Sequence, residues 1–315
     1  MMRGSTFQRG LSDTCLSSCA DKCTAFDLPE EAVSDCGGCN NTHYCHPGAY
    51  GYNDLEAWYM VNKPTVVIIA AAKVGGILAN STLKHKFIYE NLQIQNNLIH
   101  GSYLAKVKNL IFLGSSCIYP KFCKQPMKEK YLLSGKLEET NDAYGIAKIA
   151  GIMMCYNYSK KYKLNYQSLM PPNLYGPGDN YDLKTSHFFP ALLKKIFLAK
   201  AQRKKSINIW GTGKPRRELM FVEDFAEALI YFINKKIGEP FINIGNGIDF
   251  SIEWYAKYIM KRLNVKLKIV YDKNRLDGMP KKCLDISLAK KYGWKPINDL
   301  DEGFDITLRD FLKNR

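Results

Sequence analysis

Apolar and polar positions alternate in blocks along most of this chain, and the blocks have two different periods. After Pro64 the run Thr65-Val-Val-Ile-Ile-Ala70 is continuously apolar and rich in β-branched residues, the signature of a parallel strand buried on both faces. Residues 84–105 repeat at helical spacing, with Phe87, Ile88, Leu92 and Ile99 expected inward. Asn109–Leu113 reads as the next strand, Tyr144–Tyr162 as a helix and Tyr166–Met170 as a strand. Asp54–Trp58 reads as the helix before the first of these strands. Strand and helix in alternation predict an α/β fold, a Rossmann-like doubly wound parallel sheet. Beyond Pro177 the alternation loosens. Helices are expected over 187–199 and 223–233, and from a Ser251 cap through Leu263. Short strands are expected over 206–210, 241–244 and 266–271. This pattern suits a smaller C-terminal region. The expected units are 1–52, 53–178 and 179–315, the second a nucleotide-binding sheet and the third mainly substrate-binding.

Chemistry gathers where ligands bind in such sheets, at the carboxyl ends of the strands. Ser115 follows the strand that ends at Leu113. Tyr144 and Lys148 are four residues apart on a predicted helix, so they share a face. A lysine ammonium beside a phenol favours the phenolate, so the tyrosine pKa is expected to fall and the group to exchange protons near neutrality. Ser115 can hold a carbonyl oxygen on which charge develops during hydride transfer.

Composition changes this picture at one end only. The 315 residues, 46% hydrophobic and 24% charged, are those of a soluble globular protein with ample core. No apolar run reaches transmembrane length and the chain opens on no apolar signal stretch, so the expected location is cytoplasmic, without a membrane partner. The net charge of +15 is uneven: residues 1–62 are net −5. The lysines are scattered, with no basic stripe interleaved with aromatics, which argues against nucleic acid. Solvated lysine faces account for most of the charge, and anionic phosphates for some.

Residues 1–52 carry six of the ten cysteines and none of the texture that follows. A dinucleotide-binding sheet is expected to begin with an apolar strand and Gly-x-x-Gly-x-x-Gly, whose glycines let the backbone approach a pyrophosphate at a helix start. Gly4 and Gly10 have the outer spacing, but Phe7 fills the middle. No metal is expected. Cys36, Cys39, Cys45 and His46 are the only candidates by zinc spacing, while Cys15, Cys19 and Cys23 fit no standard pattern. The abrupt change of composition is what a frame shift, a misassigned start or a fused exon leaves in place of two strands and two helices. The expectation that follows is that a dinucleotide binds weakly or not at all.

Six strings stand in family order: Ala70-Ala-Ala-Lys-Val-Gly-Gly-Ile77, Leu113-Gly-Ser-Ser-Cys-Ile-Tyr-Pro120, Asn173-Leu-Tyr-Gly-Pro177, Ser186-His187, Trp210-Gly-Thr-Gly213 and Asp277-Gly-Met-Pro-Lys-Lys282. From about Asn53 onward the chain resembles the GDP-L-fucose synthase family of extended short-chain dehydrogenases/reductases. The resemblance implies 3,5-epimerisation of GDP-4-keto-6-deoxy-D-mannose, then reduction at C4 with NADP(H) as cofactor. It also implies a homodimer. Cys117 and His187 match the family's acid–base pair, a thiol and an imidazole that titrate near neutrality. Ser115, Tyr144 and Lys148 complete the implied catalytic set. Ala71, Ala72, Gly75, Gly76, Pro171, Asn173 and Leu174, with Tyr144 and Lys148, are the implied cofactor contacts. Pro172 stands where the family usually has Thr, and it lacks an N–H. Asn173, His187, Lys195, Trp210, Arg217, Asp277 and Lys282 are the implied substrate contacts, with Arg216 and Lys281 as alternatives that spacing alone leaves open. The rival readings are a related enzyme on a UDP- or dTDP-sugar, and a nucleotide-sugar binder without catalysis.

Overall fold

The computed structural model describes residues 58–313 apart from 184, 275 and 276. The N-terminal cysteines and both glycines of the interrupted fingerprint lie outside the described residues, as does all but the end of the helix expected over 54–58.

The apolar runs become the four strands of one parallel sheet. They are β1 (Val66–Ile69), β2 (Asn109–Leu113), β3 (Asn165–Met170) and, after a long excursion, β7 (Ile242–Asn243), in the order β1-β2-β3-β7. Register aligns Ile69 with Phe112 and Phe112 with Ser168, so the turns that leave β1, β2 and β3 share one edge. Between them run α1 (Ile77–Thr82), α2 (Lys84–Leu104) and α3 (Asp142–Tyr162). Ile69, Leu110, Phe112, Ile99 and Ile152 pack into one core between α2, α3 and this sheet.

The buried stripe of α2 differs from expectation. Ile88 and Leu92 are half-buried, while Asn91 and Gln95 are inside with Phe87 and Ile99. The reason is backbone left open by the turn after β1 and by α3. Asn91 accepts from Lys73 N–H (2.9 Å) and donates to Lys73 C=O (3.1 Å), and Gln95 donates to the Ala147 carbonyl (2.7 Å). Buried amides are tolerated when they make such bonds.

The second half carries β4 (Asn173–Tyr175), α4 (Phe188–Ala201), β5 (Ser206–Trp210), β6 (Arg216–Phe221), α5 (Val222–Phe232), β8 (Asp249–Ser251), α6 (Ile252–Arg262), β9 (Lys268–Asp272), β10 (Lys281–Lys282), α7 (Ser287–Lys291) and α8 (Leu300–Lys313). Strands β10, β6 and β4 form a small parallel sheet, with β8 antiparallel on β6. Strands β5 and β9 pair in parallel. The expected helices and strands appear with ends shifted by at most two residues. The Ser251 cap is made, its hydroxyl accepting from Trp254 N–H at 3.0 Å. Strands β4, β6, β8 and β10 were not legible, because each is short or half-charged. Among the described residues, no helix is long and apolar enough to cross a membrane.

Candidate active site

The site is built where β2 ends. After Gly114 the chain enters a 3-10 turn, Ser116–Ile118, capped by Ser115, whose hydroxyl oxygen accepts the Cys117 N–H at 3.2 Å. The first turn of α3 lies directly against it: a Cβ on Gly145 would stand 2.9 Å from the Cys117 carbonyl oxygen. Only glycine allows that approach, and it brings Tyr144 to Ser115, with which it hydrogen-bonds.

Lys148 departs from the sequence expectation. Its Nζ donates to the Leu113 carbonyl at 2.7 Å and lies 4.6 Å from the centre of the Phe112 ring. Burial in these apolar surroundings lowers its pKa to about 7. Tyr144 is not lowered. Burial raises the phenol, the neighbouring Cys117 charge adds to this, and the Ser115 hydrogen bond opposes it. The lysine shares the helix face with the phenol, as spacing required, but its charge is weakened and its bond goes to a carbonyl. Tyr144 is therefore a phenol, a proton donor, in the resting site.

Cys117 goes the other way. Lys282 Nζ stands 3.2 Å from its sulfur and Asn141 Nδ2 3.3 Å. Burial pushes the thiol up, but the Lys282 charge, the hydrogen bonds from Ser115 and Lys282, and Arg217 outweigh it and leave the pKa below the ordinary thiol value. His187, at the N-cap of α4, is lowered by burial and by the same Lys282 charge, which favours neutral imidazole.

Strand alternation separates the basic residues that spacing could not. Register pairs Lys281 with Arg216 and Lys282 with Arg217. Arg216 and Lys281 both turn to Asp249, the latter at 3.0 Å. Arg217 and Lys282 take the other face, toward Cys117. Arg217 is fixed by bonds to the Met279 (2.7 Å) and Arg216 (2.8 Å) carbonyls.

Lys195 and Trp210 stand together, the ammonium 5.3 Å from the ring centre, with Trp210 48% exposed and so open to a planar ligand. Asp277, an expected substrate contact, also bonds within the chain. Its two oxygens accept from Thr212 N–H and Thr212 Oγ1, both at 2.7 Å, so it shapes the turn after Trp210. Ala71, Ala72, Gly75 and Gly76 occupy the turn after β1. A Cβ on Gly75 would press on Ala79 (3.1 Å) and Phe87 (3.2 Å), whereas Gly76 faces open space. Pro171 is buried after β3, and Asn173 and Leu174 begin β4. Asn173 borders a small gap with Ser116, Pro172, Glu218 and Lys282.

Two residues escaped the sequence reading. Asn141 lies one helical turn before Tyr144 and touches the Cys117 sulfur; nothing in its spacing marks it. Glu218 sits inside the charged string of β6 and is buried, its pKa raised to about 7 by burial against three backbone donors.

The family model for the NAD dependent epimerase/dehydratase family matches residues 46–245. The GDP-L-fucose synthase of Sinorhizobium fredii is 44% identical over 261 residues, covering 83% of this chain and 83% of that protein. A GDP-6-OMe-4-keto-L-xylo-heptose reductase from C. jejuni superposes with TM-score 0.77 at 32% identity, covering 84% of this chain and 87% of that one. A GDP-L-fucose synthetase from Naegleria fowleri bound to NADP superposes with TM-score 0.75 at 26% identity, covering 84% and 81%. At this identity and coverage the chain belongs to the NAD dependent epimerase/dehydratase family, within its GDP-L-fucose synthase group.

Proposed function

We propose that this chain makes GDP-L-fucose from GDP-4-keto-6-deoxy-D-mannose, epimerising C3 and C5 and reducing C4. The observation that carries the reading is Cys117, held toward thiolate by Lys282 and Asn141 beside a Ser115–Tyr144 donor pair. A reductase alone has no use for such a thiol.

Protons on C3 and C5 are acidic because both carbons flank the C4 ketone. Cys117, the more ionised thiol, takes the proton, and the charge passes to the C4 oxygen. Ser115 and Tyr144 hold that oxygen as enolate and later as alkoxide. His187 exchanges the proton on the opposite sugar face. Tyr144, kept protonated by burial, delivers the last proton to the C4 oxygen.

The described residues fit the nicotinamide end of NADP(H). The open space at Gly76 and the donors Ser115, Tyr144 and Lys148 stand at the shared edge of β1, β2 and β3. Ala71, Ala72, Gly75 and Gly76 would hold the cofactor from β1, and Pro171, Asn173 and Leu174 from β3 and β4. When bound, it supplies the hydride for C4. Lys195 and Trp210 suit the guanine end of the substrate, and Arg217 suits the diphosphate. The reading includes a homodimer, which sedimentation of the purified chain tests, and a cytoplasmic location, which cell fractionation tests.

Product analysis across GDP-, UDP- and dTDP-linked 4-keto-6-deoxy sugars tests the substrate. The expected product is GDP-L-fucose from the GDP sugar alone. Equal turnover of a UDP- or dTDP-sugar contradicts it.

A further inference from the structure

Lys282 reaches Cys117 from a strand of two residues, β10. Two residues of pairing are little to hold an ammonium at 3.2 Å from a sulfur. The chain around β10 is tied on two sides. On one side lies the 125–127 loop: Gln125 donates to the Lys281 carbonyl (3.2 Å) and accepts from Cys283 N–H (3.1 Å). On the other side lies Glu218 of β6. Its Oε2 accepts the Leu284 N–H at 2.6 Å, and its Oε1 accepts the N–H groups of Asn246 (2.6 Å) and Gly247 (2.7 Å). One buried carboxylate thus fastens three parts together. These are β6, which carries Arg217, the 245–247 turn, and the chain two residues past Lys282. The space for it is cut to shape: a Cβ on Gly245 would stand 2.2 Å from Oε1.

We propose that Glu218 is a positioning residue that fixes the Lys282 segment on β6 and so keeps the Lys282 ammonium on the Cys117 sulfur. The inference rests on Cys117 being the epimerising base, but its test does not need the reaction. Glu218→Gln turns one accepting oxygen into an NH2 facing a backbone N–H, leaving a buried donor unpaired. Gly245→Ala keeps the carboxylate and displaces it. Both variants of the full chain are titrated without substrate, reading iodoacetamide alkylation at Cys117 by peptide mass spectrometry against pH.

The expected result in each variant is a rise of about one unit in the Cys117 midpoint, which is about tenfold less thiolate at fixed pH. In a Lys282→Met background the Glu218→Gln change should add no further shift, because the effect travels through Lys282. Where Glu218→Gln does not fold, Gly245→Ala decides. Folded variants that titrate Cys117 as wild type overturn the proposal, and so does a shift of equal size with and without Lys282. Absence of C3 and C5 proton exchange in the wild-type enzyme would instead overturn the epimerase reading and leave the titration result standing.

Discussion

Two lysines of the site do opposite things. Lys148 lies among apolar side chains, gives its bond to the Leu113 carbonyl and loses much of its charge, with a pKa near 7. The phenol beside it stays protonated. Lys282 gives its bond to the Cys117 sulfur and, with Arg217, draws that thiol down despite burial. Both pairs bring a lysine to an acidic group under burial. What separates them is where the ammonium points, and the strand register of Lys282 settles that as helix spacing did not for Lys148. On the proposed reading this makes a division of labour, an acid at one end and a base at the other.

Removing the acid is the hardest blow to this comparison. Tyr144→Phe should reduce C4 reduction by about 10²–10⁴-fold, the range for a general acid, measured as NADPH oxidation with the 4-keto sugar. Near-wild-type oxidation would remove Tyr144 from the mechanism. Removing the base should strike the other half: Cys117→Ser should slow solvent deuterium entry at C3 and C5 by about 10²-fold or more, with hydride transfer to a pre-epimerised sugar less affected. Unchanged exchange would make the thiol structural.

The lysines themselves sharpen the contrast. Lys282→Met should raise the Cys117 alkylation midpoint by about one to three units, the effect of losing a cation at contact distance. Lys148→Met should leave that midpoint where it is. Equal shifts from both would erase the distinction drawn here. The smallest effect concerns stability. Glu218 is raised from 4.5 to about 7 in the folded chain, so the folded state binds this proton more tightly than the unfolded one. Its contribution is fully present below pH about 4.5 and declines as pH rises through about 7. Melting temperature against pH should show a shallower fall in that window for Glu218→Gln than for wild type. Parallel curves would mean that Glu218 does not carry the slope.

Much of the fold was legible because buried parallel strands announce themselves: Val66–Ile69, Asn109–Leu113 and Asn165–Met170 all fall within or beside the expected runs. The small sheet was hidden because its strands mix charge with apolar residues, as Arg216-Arg-Glu-Leu-Met-Phe221 does. Ser115, Tyr144 and Lys148 stood out in local strings, Cys117 through the family resemblance, and the fold brings the four together at the end of β2. The bonds from Thr212 to the Asp277 carboxylate were not legible, since the two residues lie far apart in the sequence. Partners distant in sequence decided the rest. No spacing rule links Cys117 to Lys282, or Glu218 to Leu284, because those contacts exist only once β6 and β10 pair. The same holds for Arg216 and Lys281, which the fold turns to Asp249.

The central claim is that one site epimerises before it reduces. The most direct measurement is turnover of GDP-4-keto-6-deoxy-D-mannose with NADPH in deuterated water, with the product read by NMR. The account predicts GDP-L-fucose carrying solvent deuterium at both C3 and C5. A C4-reduced sugar with protium at both carbons, and the D-manno configuration retained there, would contradict it.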